Sequence, residues 1–189
     1  MEKWEIFFRE VNNIKDENIK NFVKDAFDYA PAYFWTIAAS RTGKYHPPDD
    51  VKVGGLVHHT KKVCYFAKEL IVAMQCEQYA DEIQAAALIH DLYKNGISEK
   101  IKTSMDEWSA HGLNLKKYIE QETYGGKTVE ELFPDPAVQQ KILKVLDLAA
   151  RHMGKWGPET HPPVKREDWL LHIADYVSSR KLVVIEEGL

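Results

Sequence analysis

The sequence predicts an all-α fold built as a single domain. Three observations lead there. Nearly every segment repeats its apolar residues at spacings of three and four, the period of a helix. No segment alternates apolar and polar residues with strand period over a convincing length. The breaks between segments are Gly-, Pro- and Asp-rich turns, with no linker and no internal repeat. The 189 residues, 44% hydrophobic, suit one large domain with a sizeable core.

The elements follow in order. Trp4, Phe7, Phe8 and Val11 begin the first helix. Asp16 is the N-cap expected for a second, which places Ile19, Phe22, Val23, Ala26 and Phe27 on one side. Pro31 interrupts the pattern, and AYFWTIAA resumes it. The loop RTGKYHPPDDVKVGG comes next. After Gly55 a long helix carries the stripe Leu56, Thr60, Val63, Ala67, Leu70 and Met74. A shorter helix runs from Asp81 to about Asp91 and stops at Asn95-Gly96. Another runs from Asp106 to Glu122 and is halted by Gly125-Gly126. Asp135 and Pro136 start one that reaches His152, and the last spans Glu167 to Arg180. The tail KLVVIEEGL reads as a short strand, a fraying end or a stump. Residues 2–40 are expected to pack as N-terminal helices on a core of about residues 41–181.

Charge and cysteine content narrow the function classes. A net charge of -4 argues against a protein that coats nucleic acid, yet leaves room for an enzyme that takes nucleotides or RNA ends. Cys64 and Cys76 fall in one predicted helix as small apolar residues, without a disulfide framework. The start MEKWEIFFRE lacks an apolar signal core, and no stretch approaches the roughly 20 apolar residues of a membrane span. A reducing cytoplasm and no membrane partner are expected.

The informative feature is where polar residues fall on their helices. His59 lies between Leu56 and Val63 and points inward, whereas His58 shares a face with Lys61 and Lys62 and points outward. His90 continues Ile83, Ala86 and Ala87; His111 falls with Trp108, Leu115 and Tyr118; His152 ends Val138, Ile142, Val145 and Ala149. Imidazoles from four helices therefore face the core, each of which alone would more often be a hydrogen-bonded core histidine than a ligand. Asp91 and Asp175 join them in apolar surroundings, where a carboxylate must be paired or bind a metal. Imidazole and carboxylate without thiolate suit Mn, Fe, Ni, Co or Zn, and carboxylate also suits Mg.

The segments GGLVHHT, LIHDLYKNG, SAHG, ARHMGKWGP and LHIADYVSSR occur in this order. Together they resemble the HD superfamily of metal-dependent phosphohydrolases, an HD-type helical bundle, over about residues 41–181. The likeness is strongest to small bacterial and phage HD proteins and to the HD domain of bacterial 3′-5′ exoribonucleases. It implies that His59, His90, Asp91 and Asp175 hold the main metal, with Asp91 able to bridge to a second. His111 and His152 would bind that second ion or the substrate phosphate, and Lys94 would steady the scissile phosphate. Asp91, Lys94 and His111 would be the catalytic residues. Dinuclear members often carry two adjacent histidines where this chain has His152-Met153, so one ion and two ions both stay open.

Further residues are expected at the substrate: His46 lining the site, Lys155 and Trp156 in the loop after His152, with Trp156 stacking on a base, and Arg180 reaching a phosphate. Each has a plainer reading as a loop histidine, a loop anchor or a helix-end charge. His172 is read as structural support, and His161 and His58 as surface residues. The expected function is hydrolysis of a phosphomonoester or phosphodiester in a nucleotide or short oligonucleotide, without a stable nucleic-acid complex. The exoribonuclease relatives carry an extra nucleic-acid-binding domain for which 189 residues leave no room. Two other readings share the ligand set: a di-iron oxygenase on the same fold, and a degenerate HD fold that only binds ligands. The sequence gives no reading of oligomeric state.

Overall fold

The computed structural model describes residues 2–97 and 108–183. Among them every regular element is helical and no strand occurs. A 3-10 turn at Lys3–Phe7 leads into α1 (Phe8–Asn12), and α2 spans Glu17–Asp28. Asp16 caps α2 by accepting from the Asn18 and Ile19 amides, which satisfies donors a helix start leaves free. After 3-10 turns at Ala32–Trp35 and Pro48–Val51 comes α3 (Gly55–Ala73), then α4 (Ala80–Ile89). The second half holds α5 (His111–Glu122), α6 (Val129–Leu132), α7 (Pro136–Arg151) and α8 (Arg166–Ser178). Asp135 caps α7 with Pro136 at its first position, as the sequence predicts.

Three local readings are corrected. AYFWTIAA gives only the turn Ala32–Trp35, because the carbonyls of Thr36 and Ile37 accept from the Gly54 and Leu56 amides instead of continuing a helix. Cys76 lies beyond α3, not in it. Gln75 turns the chain at φ 54°, and the Cys76 amide bonds back to the Ile71 carbonyl. α6 has no counterpart in the expected elements, yet its signal was present: Thr128 and Glu131 form a capping box. The expected start of a helix at Asp106, and the tail beyond Val183, lie outside the described residues.

A contiguous apolar core runs from Phe7 to Ala174. α4 sits at its centre, and every residue from Ile83 to Ile89 is buried. Its neighbours are α3, α7, α2, α8 and α1. A helix buried all round has no polar face, so chain leaving α4 starts inside the molecule. That places His90 and Asp91 in the interior before any packing choice of their own. α3 packs chiefly on α8, and α5 on α7. The N-terminal segment ties in by polar contacts too. The Lys15 and Asp16 amides bond the Asp81 carboxylate, and the buried Tyr33 hydroxyl donates to the Gly96 carbonyl while accepting from the Asn95 amide. No helix among the described residues is long and apolar enough to cross a membrane.

Candidate metal centre

The helical faces carry His59 on α3, His111 at the first turn of α5 and Asp175 on α8 to one place. His90 and His152 stand at the C-terminal ends of α4 and α7, where carbonyls lack helical partners. Each uses that feature. His90 Nδ1 donates to the Ala87 carbonyl at 2.8 Å, and His152 Nδ1 to the Ala149 carbonyl at 2.6 Å. His111 repeats the pattern toward the Trp108 carbonyl at 2.5 Å. A carbonyl can only accept, so each Nδ1 carries a proton, and each ring in its neutral form turns a bare Nε2 inward.

Those bare nitrogens converge on two carboxylates. His111 Nε2 is 3.1 Å from His152 Nε2 and 2.8 Å from Asp91 Oδ1. His152 Nε2 is 3.8 Å from the same oxygen. His90 Nε2 faces Asp91 Oδ2 at 3.6 Å and Asp175 Oδ1 at 4.0 Å. His59 Nε2 bonds Asp175 Oδ1 at 2.9 Å. His90 Nε2 and Asp91 Oδ1 are buried without a hydrogen-bond partner, as is His59 Nδ1. Lone pairs packed this closely repel one another, and their desolvation is uncompensated. A cation among them removes both penalties, so the donor set fits a metal ion. Two such groups of three are close enough to hold one: His59, His90 and Asp175, and His90, Asp91 and His152. Asp91 turns one oxygen toward His90 and the other toward His111 and His152.

Protonation follows the same surroundings. Burial, with His111 and His90 close by, pushes His152 down to about 3. Burial also lowers His90. Burial alone would raise the Asp91 carboxyl, but its neighbours, the Lys94 ammonium first among them, outweigh it and hold the group well below the usual range. Asp175 is likewise held low against its burial, chiefly by His59. His59, His90, His111 and His152 are all buried, whereas the Asp175 side chain is 22% exposed and Lys94 15%, so solvent reaches the cluster on their side.

The other expected residues divide. Lys94 Nζ lies 2.6 Å from Asp91 Oδ2, at the cluster. His46 is beside it, its ring centroid 5.3 Å from that of His59. Lys155, Trp156 and Arg180 are not in the cluster. They form a ladder on the outer side of α8: Lys155 over the Trp156 ring, Trp156 stacked on Tyr176 at 5.7 Å and 8°, and the Arg180 guanidinium over Tyr176 and Tyr45. His172 Nδ1 donates to the His152 carbonyl at 2.8 Å. Gly154 makes room for that ring, since a Cβ there would lie 2.4 Å from it. The His161 ring bonds the hydroxyl of its neighbour Thr160.

His58 and Lys62 depart from the helical-face reading. Lys62 is 2% exposed, and His58 is half-buried. Both bond Asp50, a fully buried carboxylate in the loop before α3. The loop closes over the side of α3 that the period assigns to solvent. Gly55 permits this, because a Cβ there would lie 2.1 Å from the Asp50 carbonyl oxygen. No periodic signal marks Asp50, which stands in the turn Pro48–Val51.

The HD domain family matches residues 43–180 of the chain, which span all the clustered residues. No curated protein and no solved structure gives a match.

Proposed function

The chain belongs to the HD-domain family, and on that basis we propose that it is a metal-dependent hydrolase of phosphomonoesters or phosphodiesters. We further assign it a nucleotide or short oligonucleotide as substrate. The observation that carries the reading is the convergence of three carbonyl-anchored imidazoles on Asp91, with their lone pairs inward. In this reading His59, His90, Asp91 and Asp175 hold a divalent ion, one of Mn, Ni, Co, Fe, Zn or Mg. His111 and His152 hold a second ion or face the phosphate. Bound there, such an ion supplies Lewis acidity and brings the pKa of water to about 7.

The chain's own groups do the rest. Asp175 and Lys94 border the solvent-accessible side, where a phosphate enters. The Lys94 ammonium, now on Asp91, is positioned to neutralise the charge that grows on the phosphoryl oxygens. His111 Nε2 lies where a proton taken up is shared with Asp91 Oδ1 and then passed to the leaving oxygen. Buried His90 and His152 keep bulk water from the far side. Trp156 and Tyr176 would offer ring surface for a base, with Lys155 and Arg180 for further phosphates. Kinship with small bacterial and phage HD proteins and with exoribonuclease HD domains forms part of this proposal.

The test is metal analysis of the purified protein, followed by an anaerobic panel of phosphomonoesters, dinucleotides and short oligonucleotides with each divalent ion. Phosphate release or strand shortening without oxygen supports hydrolysis. Iron content with oxygen consumption and no phosphate release assigns the oxygenase reading instead. Failure to bind any divalent ion leaves only a degenerate binding fold.

A further inference from the structure

Asp50 is buried with no exposure, yet it stands outside the convergent cluster. Its carboxylate accepts from His46 Nδ1 at 3.1 Å, His58 Nδ1 at 2.8 Å and Lys62 Nζ at 2.7 Å. These bonds outweigh its burial and hold it well below the usual carboxylate range. Lys62 also donates to the Ser178 carbonyl at 2.6 Å, one turn beyond Asp175 on α8. The lysine thus joins α3 to α8, the two helices that carry His59 and Asp175.

One further atom faces this group. His59 Nδ1 is buried and unpartnered, and Asp50 Oδ2 is 3.8 Å from it. His59 Nε2 meanwhile bonds Asp175. When the Nε2 lone pair is given to an ion, the ring's one proton resides on Nδ1, facing Asp50 Oδ2. Carboxylates in that position fix the tautomer and the ring plane of a ligating histidine and raise its basicity.

We propose that Asp50 is the positioning residue for His59: it accepts a hydrogen bond from Nδ1–H when Nε2 binds metal, and through Lys62 it holds His59 and Asp175 in register. His46, Asp50 and His59 are themselves close enough together to hold an ion. The geometry favours the positioning role, because the oxygen nearest His59 is already bonded by the Lys62 ammonium and by His46. A cation there would meet another cation.

The inference rests on metal binding at His59, and its test separates the two. Co(II) alone is titrated into the full chain, read by the visible d–d absorption of the bound ion and by metal analysis. The variants are Asp50→Asn, which keeps an oxygen acceptor, and the double variant Asp50→Leu/Lys62→Met, which removes the buried charges together so that the fold survives. Thermal melts accompany each. The expected result is a graded loss of Co(II) affinity, about 10- to 100-fold for the double variant, with unchanged stoichiometry and an altered absorption band. Unchanged affinity and band in a folded double variant overturn the inference while leaving the metal reading intact. Loss of one equivalent of Co(II) also overturns it, since Asp50 is then a ligand. No uptake by the wild-type protein sinks the metal reading, and this inference with it.

Discussion

Two buried polar clusters share His59 and are built to opposite rules. Around Asp50, one carboxylate meets donors from His46, His58 and Lys62. Around Asp91, the Nε2 atoms of His90, His111 and His152 crowd one another and a carboxylate bonded by Lys94, with His90 Nε2 and Asp91 Oδ1 left without a partner among the described residues. In the first cluster both carboxylate oxygens have donors. The second has more lone pairs than protons. A buried group costs about 1–3 kcal/mol when left unpaired, so the second cluster is the one that gains from a cation. Ion-pair chemistry alone does not separate a structural hub from a binding centre, and the balance of donors against acceptors does.

The largest expected contrast comes from Asp91→Ala. Bound metal should be lost and kcat/KM should fall about 10³-fold or more, read by metal analysis and phosphate release. Full activity in that variant would break the comparison at once. Lys62→Met alone should destabilise the fold by about 3–5 kcal/mol in urea unfolding, because it strands the buried Asp50 charge. Removing both partners as Asp50→Leu/Lys62→Met should return most of that stability. Were the single and double variants equally unstable, the hub would not be a balanced pair.

Gly112→Ala probes the second cluster by shape. An added Cβ would lie 2.6 Å from the Ala149 carbonyl oxygen and 2.9 Å from His152 Nδ1. It should cost about 1–3 kcal/mol and reduce the metal that depends on His152, while leaving the Asp50 hub undisturbed.

Acid gives a smaller, graded effect on metal-stripped protein. His152 is held at about 3 when folded and titrates near its usual value when unfolded. The unfolded chain therefore binds the proton first as pH falls, and stability drops between about pH 6.5 and 3. Asp50, Asp91 and Asp175, all held low, add losses in the same direction below about pH 4. Melting temperature against pH should fall on the acid side, and bound metal should raise the neutral value and steepen the fall, because protons compete with the ion for the imidazoles. Trp156→Ala should act least, raising KM for an oligonucleotide a few-fold and leaving stability within about 1 kcal/mol.

The sequence made the second cluster more legible than the first. His59, His111 and His152 follow helical stripes, and period alone turns them inward. His90 was placed by the same rule, but α4 is buried on every side, so its burial comes from the helix's position. Asp50 and Lys62 are invisible to period, since the short 3-10 turn before α3 supplies the carboxylate that lets a lysine face inward. The aromatic ladder had the same fate: Trp156 and Arg180 stand out in the sequence, while Tyr45 and Tyr176 join them only through packing.

Tyr33 has a bearing on modularity. The family shared by this chain starts at residue 43, yet the tyrosine that holds the Asn95 and Gly96 backbone stands ten positions earlier. The segment that matches the family and the packed core, which includes residues from Phe7 onward, are therefore different lengths of chain. A fragment cut at the family boundary would keep every clustered imidazole and lose the bolt on the turn that follows Lys94. Transplanting this centre into another scaffold would have to carry Tyr33, or a substitute hydroxyl, along with it.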